Sequence, residues 1–205
     1  MNLLLIAILA LQDAPWEPLT AADVWADGKG AAPAAGWAFA DGVIHRTAKA
    51  GDIFTKKKYL DFELEFEWKV ASGANSGLKY RMKSVGPEYQ VIDDTKHPDA
   101  KNGSRTTASL YDIKAPAADK PLKAVGEWNA SRVVAKGKHL EHWLNGSKVV
   151  EIDLDSAEWK ELFAKSKFAK TKGAEDWFAR ETGPVMLQDH GDEVWFRALR
   201  IRELK

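Results

Sequence analysis

Gln188, Asp189 and His190 stand in a row between the apolar run Val185–Leu187 and Gly191. In a strand, successive side chains point to opposite faces, which sends Val185, Leu187 and Asp189 one way and Met186, Gln188 and His190 the other. The first set is mostly apolar and reads as the core set. An amide and an imidazole are then left together on the second face, followed at once by Gly191 and the strand-like run Val194–Arg202. That is the pattern of a groove floor. Among side chains, imidazole titrates closest to neutral pH when unperturbed, so His190 is a candidate for proton transfer. His142, set between Leu140 and Leu144, is a second one, although a hydrogen-bonded core histidine would read the same way.

A second polar cluster runs from Glu88 to Asp99, EYQVIDDTKHPD. Alternation groups Glu88, Gln90, Ile92 and Asp94 on one face and Tyr89, Val91 and Asp93 on the other. We assign the Glu88 and Gln90 face to the groove, because it offers side chains that can both accept and donate hydrogen bonds. Asp94 is the further carboxylate candidate for acid or base work. Asp93, Asp94, His97 and Asp99 could also ligate a hard divalent cation such as calcium or manganese, but their spacing matches no established metal loop. The cofactor and the metal are therefore left open. Lys79 and Arg81 fall on one face of a short strand, Leu78–Met82, and could supply a cationic donor to a developing oxyanion; a solvated sheet face is the plain alternative.

These residues need a sheet to hold them, and the chain has the period for one. Asp61–Val70, DFELEFEWKV, alternates without a break, with Phe62, Leu64, Phe66, Trp68 and Val70 against four carboxylates and a lysine. One face is buried and the other is wet, as in an antiparallel sheet. Gly73–Gly77 reads as a turn, and Tyr89–Ile92, Ser131–Ala135, His139–Leu144, Lys148–Ile152 and Val194–Arg202 read as further strands. Asn145-Gly146 is a two-residue hairpin signal. Helical spacing is confined to Ser156–Lys165, with Asp155 and Glu158 as a capping pair; a lysine-rich loop follows through Lys172, and the segment is expected to cover the rim of the sandwich, with lining the site as its alternative. There is no repeat and no linker.

Composition narrows the partner. The 205 residues carry 30 basic and 30 acidic side chains, so the basic footprint that nucleic acid requires is missing. A small neutral molecule fits better. No cysteine is present, which excludes disulfides, thiolate nucleophiles and zinc-thiolate sites. Met1–Leu11, MNLLLIAILAL, resembles the apolar core of a signal peptide, though no Lys or Arg precedes it, and it is too short to span a bilayer. The expected organisation is a leader over residues 1–11 and one β-sandwich domain over residues 12–205, with the mature protein periplasmic or secreted.

Four separate stretches, GDIFTKKKYLDFELEFEWKVASGANSGLKYR, GPEYQVIDD with HPDA, GEWNASRVVAKGKHLEHWLNGSKVVE and LQDHGDEVWFRALRIREL, resemble in order those of the 3-keto-disaccharide hydrolase domain family. The resemblance runs from about Trp37 to the C-terminus. It implies an all-β concanavalin A-like jelly-roll sandwich of two antiparallel sheets with a sugar-sized groove, and an enzyme cleaving 3-keto-glycosides. Its alternative is a lectin-like module that binds sugar without chemistry. Met186 departs from the family, which usually carries Gly before Leu-Gln-Asp-His, and could narrow the groove. Sugar rings stack on aromatic faces, which makes Trp143 and Trp195 stacking candidates. A retaining or inverting glycosidase needs two carboxyl groups roughly 5 to 9.5 Å apart. Glu88 and Asp94 on one extended strand would lie about 20 Å apart. A 3-keto sugar opens another route, in which one base removes the acidified proton on carbon 2 and the glycosidic oxygen leaves by elimination.

Overall fold

The computed structural model describes residues 13–83, 85–174, 178 and 182–205; the leader expected over residues 1–11 lies outside them. The alternating run becomes β6 (Phe62–Val70), with Phe62, Leu64, Phe66, Trp68 and Val70 buried. Its outward carboxylates pair across the ladder: Glu67 with Arg197, Glu65 with Arg200, and Glu63 with both Arg132 and Arg202. β6 therefore sits in the middle of a sheet, between β9 (Asn129–Lys136) and β13 (Val194–Glu203). The sheet continues through β10 (His139–Leu144) and β11 (Ser147–Asp153) on one side. On the other side lie β4 (Val43–Arg46) and β3 (Trp37–Ala40), while β1 (Glu17–Pro18) pairs with the far end of β13.

The second sheet has five strands in the order β2 (Trp25–Asp27), β5 (Ile53–Thr55), β12 (Met186–Leu187), β7 (Asn75–Lys79) and β8 (Glu88–Ile92). All named pairings in both sheets are antiparallel. The sheets pack face to face through aromatic edges. Tyr89 meets Phe66 at 5.2 Å and Tyr80 meets Phe62 at 5.8 Å between ring centroids. Asn145 and Gly146 both adopt positive φ, 45° and 87°, as the tight turn joining β10 and β11 requires.

Two local expectations shift. Gly77 is not a turn residue; the turn falls earlier, with Gly73 at φ 74° and the Ala74 N–H bonded to the Ala71 carbonyl, and the strand runs over Asn75–Lys79 instead of Leu78–Met82. Arg81 stands beyond that strand at φ 49° and does not share a face with Lys79. The helix, α1 (Ala157–Lys165), is capped by Ser156, whose Oγ accepts the Trp159 N–H, and not by Asp155.

Polar groups inside the sandwich are paired with care. Trp68 Nε1 and the Tyr89 hydroxyl converge on Ser131 Oγ at 2.9 and 2.7 Å. His142 is fully buried, its Nδ1 lying 3.0 Å from the Ala108 carbonyl and its Nε2 2.9 Å from the Tyr80 hydroxyl. A carbonyl can only accept, so Nδ1 carries the proton and Nε2 accepts from Tyr80. Burial penalises the charged ring and lowers its pKa to about 4, although the backbone around Ala108 and Ser109 favours the cation.

The buried ring gives stability a pH dependence of known sign. Between pH 4 and 6.5 the unfolded chain binds the proton that folded His142 refuses. Its contribution is complete above pH 6.5 and is lost as pH falls toward 4, by about 3 kcal/mol at one pKa unit per 1.36 kcal/mol. The stability gap between wild type and His142→Gln, read from urea unfolding, should therefore narrow as pH drops from 7 to 4. A gap independent of pH would mean that His142 is not held neutral.

Candidate active site

The groove face is set by cross-strand register. β7 and β8 pair with Gly77 opposite Gln90 and Lys79 opposite Glu88. β12 lies on the other side of β7, with Met186 opposite Lys79 and flanked beyond by Phe54 of β5. Leu78, Tyr89, Val91 and Leu187 are buried between the sheets. Alternation therefore turns Gly77, Lys79, Glu88, Gln90 and Met186 to the outer face of the five-stranded sheet. Gln188 continues the ladder through its N–H to the Gly77 carbonyl at 3.0 Å.

Glu88 is the centre of charge on this face. Its carboxylate is buried, with Oε2 3.5 Å from Lys79 Nζ. Burial pushes its pKa up, while the charges of Lys79, Lys167 and His190 oppose that rise without cancelling it. Gly77 makes the burial sterically feasible, because a Cβ there would collide with Glu88 Oε1. Beside it, Gln90 donates through Nε2 to the Arg105 carbonyl, while its Oε1 has no hydrogen-bond partner among the described residues.

Lys167 has no local sequence signature and was reachable only through the fold. It follows α1 in the lysine-rich stretch assigned to the rim, and the chain brings it back to the groove. Its N–H donates to Asp112 Oδ2 at 2.6 Å, and its ammonium lies 4.2 Å from the centre of the Tyr111 ring. Tyr111 is tied to β8 by its own N–H, which donates to the Glu88 carbonyl.

The segment 188–191 is locked from below. Asp189 accepts from the Ala50 and Gly51 N–H groups at 2.7 Å each, from Gly191 N–H at 3.0 Å, and lies 2.8 Å from Arg46 Nε. Burial opposes ionisation of this carboxyl, but those donors outweigh it and hold the pKa below the usual range. Arg46 also donates to the Gly191 carbonyl, and Asp192 accepts the Asn75 N–H. Pinned on both sides, His190 itself is exposed, with no hydrogen bond or ion pair among the described residues. With Gln188 it lines a groove of about 710 Å³ facing Lys49 and Asp52.

The structure thus brings His190, Glu88, Gln90, Gln188 and Lys79 to one face, and places five other candidates elsewhere. Arg81 is sealed at the end of the sandwich, donating to the Leu60 and Gly137 carbonyls and to Asp61. His142 points between the sheets, out of reach of the groove. Trp143, its neighbour, must point the opposite way, to the outer face of the eight-stranded sheet, where the Arg132 guanidinium covers its ring at 3.9 Å. Trp195 is on that outer face too, stacked on His45 at 4.5 Å. Asp94 is a loop clamp, accepting the Thr107 N–H and holding Lys120 at 2.6 Å.

The cation hypothesis fails on the same grounds. Asp93 is occupied by the Gly73, Thr95 and Lys96 N–H groups and the Thr95 hydroxyl, His97 Nδ1 accepts the Asp99 N–H, and Asp99 faces Tyr111 and Arg105. Their ligand atoms do not converge. Among the described residues, His139, Glu141 and Glu151 do bring ligand atoms within 4.8 Å of one another. Lys148 already bridges the two carboxylates there, so the group reads as a surface ion-pair network.

With this geometry in hand, comparisons with known proteins are informative. The family model described as the 3-keto-alpha-glucoside-1,2-lyase-like domain matches residues 16–202. A 3-keto-disaccharide hydrolase of Bacteroides thetaiotaomicron is 34% identical over 208 residues, spanning 82% of this chain and 70% of the relative. A candidate glycosyl hydrolase of known structure from Parabacteroides distasonis superposes with a TM-score of 0.79 at 31% identity, covering 89% of each chain. A second from the same organism gives 0.74 at 27% identity, over 93% of this chain and all of the other. The β-glucanase of Bacillus licheniformis shares the fold alone, with a TM-score of 0.53 at 10% identity over 96% of this chain and 100% of the other.

The close approach of Glu88 to Gly77 can be tested without an activity. Gly77→Ala should destabilise the protein by about 1 to 3 kcal/mol, the usual size of an overpacking penalty. In a Glu88→Ala background the same methyl should cost far less, because the atom it strikes is gone. Equal penalties in the two backgrounds would show that Glu88 does not lie over Gly77.

Proposed function

The chain belongs to the family of 3-keto-alpha-glucoside-1,2-lyase-like domains, and on that premise we propose that it is an enzyme cleaving 3-keto-glycosides, 3-keto-disaccharides among them, by elimination followed by hydration. The observation that carries this reading is an unengaged imidazole, His190, on the same face of the five-stranded sheet as a buried carboxyl group, Glu88, and close enough for its charge to act on it. In the proposed sequence the C3 ketone acidifies the proton on C2. His190 removes it, the C1–O bond breaks as C1=C2 forms, and the leaving oxygen needs a proton. Glu88, whose burial favours the neutral acid, supplies it. Water then adds its hydroxyl to C1 and a proton to C2. Gln90 and Gln188 are suited to orient sugar hydroxyls, and Lys79 keeps a positive charge beside Glu88.

A lectin-like module is the competing reading. It would call for a shallow platform of exposed aromatic rings, whereas Trp143 and Trp195 are on the opposite sheet and the groove face holds a buried carboxyl instead. The apolar leader-like segment Met1–Leu11 extends the proposal to an exported enzyme acting in the periplasm or outside the cell.

In deuterated buffer, the 3-keto form of a disaccharide should turn over with deuterium entering C2 of the product, while the unoxidised parent stays nearly inert. Equal rates on both would point to a conventional glycosidase. His190→Gln should lower turnover by about two to four orders of magnitude, the span of general-base loss, with the melting temperature unchanged; His139→Gln, on the other sheet, should do little. Full activity in His190→Gln together with loss in Glu88→Gln or Asp94→Asn would move the base to a carboxylate.

A further inference from the structure

Resting on that reading, we propose that Lys167 holds the C3 carbonyl oxygen of the keto sugar and carries the negative charge which that oxygen gains when the C2 proton leaves. In this step the C2–H bond breaks and its electron pair forms C2=C3, while the carbonyl π pair moves onto oxygen against the Lys167 ammonium. The proton goes to the base. On collapse the C3=O bond re-forms, C1=C2 forms and the C1–O bond breaks, with the leaving oxygen taking a proton.

Three observations converge on Lys167. The first is that, of the two lysines whose charges act on Glu88, Lys167 is the uncommitted one. Lys79 is paired with Glu88 itself, and Arg105 Nε lies 2.6 Å from Asp112 Oδ1. The Lys167 ammonium has no hydrogen bond or ion pair among the described residues and touches only rings, Tyr111 at 4.2 Å and Phe168 at 5.1 Å. Its N–H donors are therefore open to a ligand.

The second is that it is held in place without using those donors. Its backbone is fixed to Asp112, and Ser166 Oγ caps the short 3-10 turn Lys167–Lys170 by accepting the Phe168 N–H. The Tyr111 ring beneath it is tied through its own backbone to Glu88. Pre-oriented charge of this kind is what stabilises an oxyanion without reorganisation during the reaction.

The third is the energetic state of the group. Burial disfavours the charged form and draws the pKa down, and Lys79 and Arg105 add to that, while Glu88 and Asp112 pull the other way. Lys167 is exposed as a residue, so that penalty is modest; an anion forming beside its unpaired ammonium gains a charge–charge attraction that a neutral ketone does not, so the interaction strengthens as the enolate develops.

The test separates enolate formation from bond cleavage. A 1,5-anhydro-3-keto-hexitol carries no aglycone at C1, so an enzyme can exchange its C2 proton with deuterated solvent but has no glycosidic oxygen to expel. Wild type should exchange C2 and should cleave the 3-keto-disaccharide. Lys167→Met should lower both rates by about 10²- to 10³-fold, as loss of one oxyanion donor does, with KM nearly unchanged, and Lys167→Arg should restore part of each. Should the Met variant melt early, Lys167→Gln repeats the comparison with a donor but no charge. Unaltered exchange in Lys167→Met, or a raised KM with kcat intact, overturns the assignment while leaving the proposed function standing. Wild-type protein inert on both sugars overturns the function and Lys167's role with it.

Discussion

The groove depends on one register, Gly77 opposite Gln90, which places Lys79 opposite Glu88 and, through β12, Met186 opposite Lys79. Side chains alternate with a period of two, so a slip of a single residue would turn Glu88 and Gln90 into the sandwich and Tyr89 and Val91 out to water. The interior prevents that slip. Tyr89 carries its hydroxyl to Ser131 on the facing sheet and packs against Phe66 and His142, so the same strand that presents Glu88 outward is fixed by what it buries inward. The two faces of β8 are thus a single constraint, and the site inherits its rigidity from the core.

Glu88 and Asp189 show how one short stretch of sheet shifts two carboxyl groups in opposite directions. Asp189 is also largely withdrawn from water, but three backbone N–H groups and Arg46 meet it, and it is held ionised. Glu88 has Lys79 at 3.5 Å and otherwise only the more distant charges of Lys167 and His190, and burial prevails. The difference lies in donors, not depth. A carboxylate saturated with donors is a fastener, and it anchors the segment that carries His190. One with few donors keeps its proton available.

Much of this was legible in the sequence because strand periodicity is local. The Asp61–Val70 alternation, the Asn145-Gly146 hairpin and the choice of the Glu88 and Gln90 face all follow from side chains pointing to alternate sides. The failures arise where a contact is made over distance. Gly77 reads as a turn glycine until Glu88 is seen lying against it. Trp143 and His142 are adjacent candidates, but alternation guarantees that they cannot serve one site, and the fold assigns one to the core and the other to the far sheet. Lys167 is one lysine in a lysine-rich stretch, and only the return of the chain to Asp112 and Tyr111 distinguishes it. Asp94 and Arg81 carry the residue types of an active site and are spent on loop anchoring.

The distribution of carboxylates bears on which chemistry the groove can support. Hydrolysis by paired acids needs a second carboxyl group within about 10 Å that is free to act as base or nucleophile. Near Glu88 and His190 most of the described carboxylates are engaged: Asp112 by Arg105 and the Lys167 N–H, Asp189 by three backbone N–H groups and the Arg46 charge, Asp94 by Lys120 and Thr107, and Asp52 by the Asp189 N–H at one oxygen. Of the described side chains whose charges act on Glu88, His190 and Lys167 are the uncommitted ones, and both are basic. A single carboxyl group whose pKa burial pushes up, with an open imidazole and an open ammonium beside it, is poorly matched to a double displacement at C1. It is well matched to a reaction in which a proton is taken from carbon and the resulting charge rests on an oxygen. On the proposed reading, an adjacent ketone is the substrate feature on which this set of residues acts.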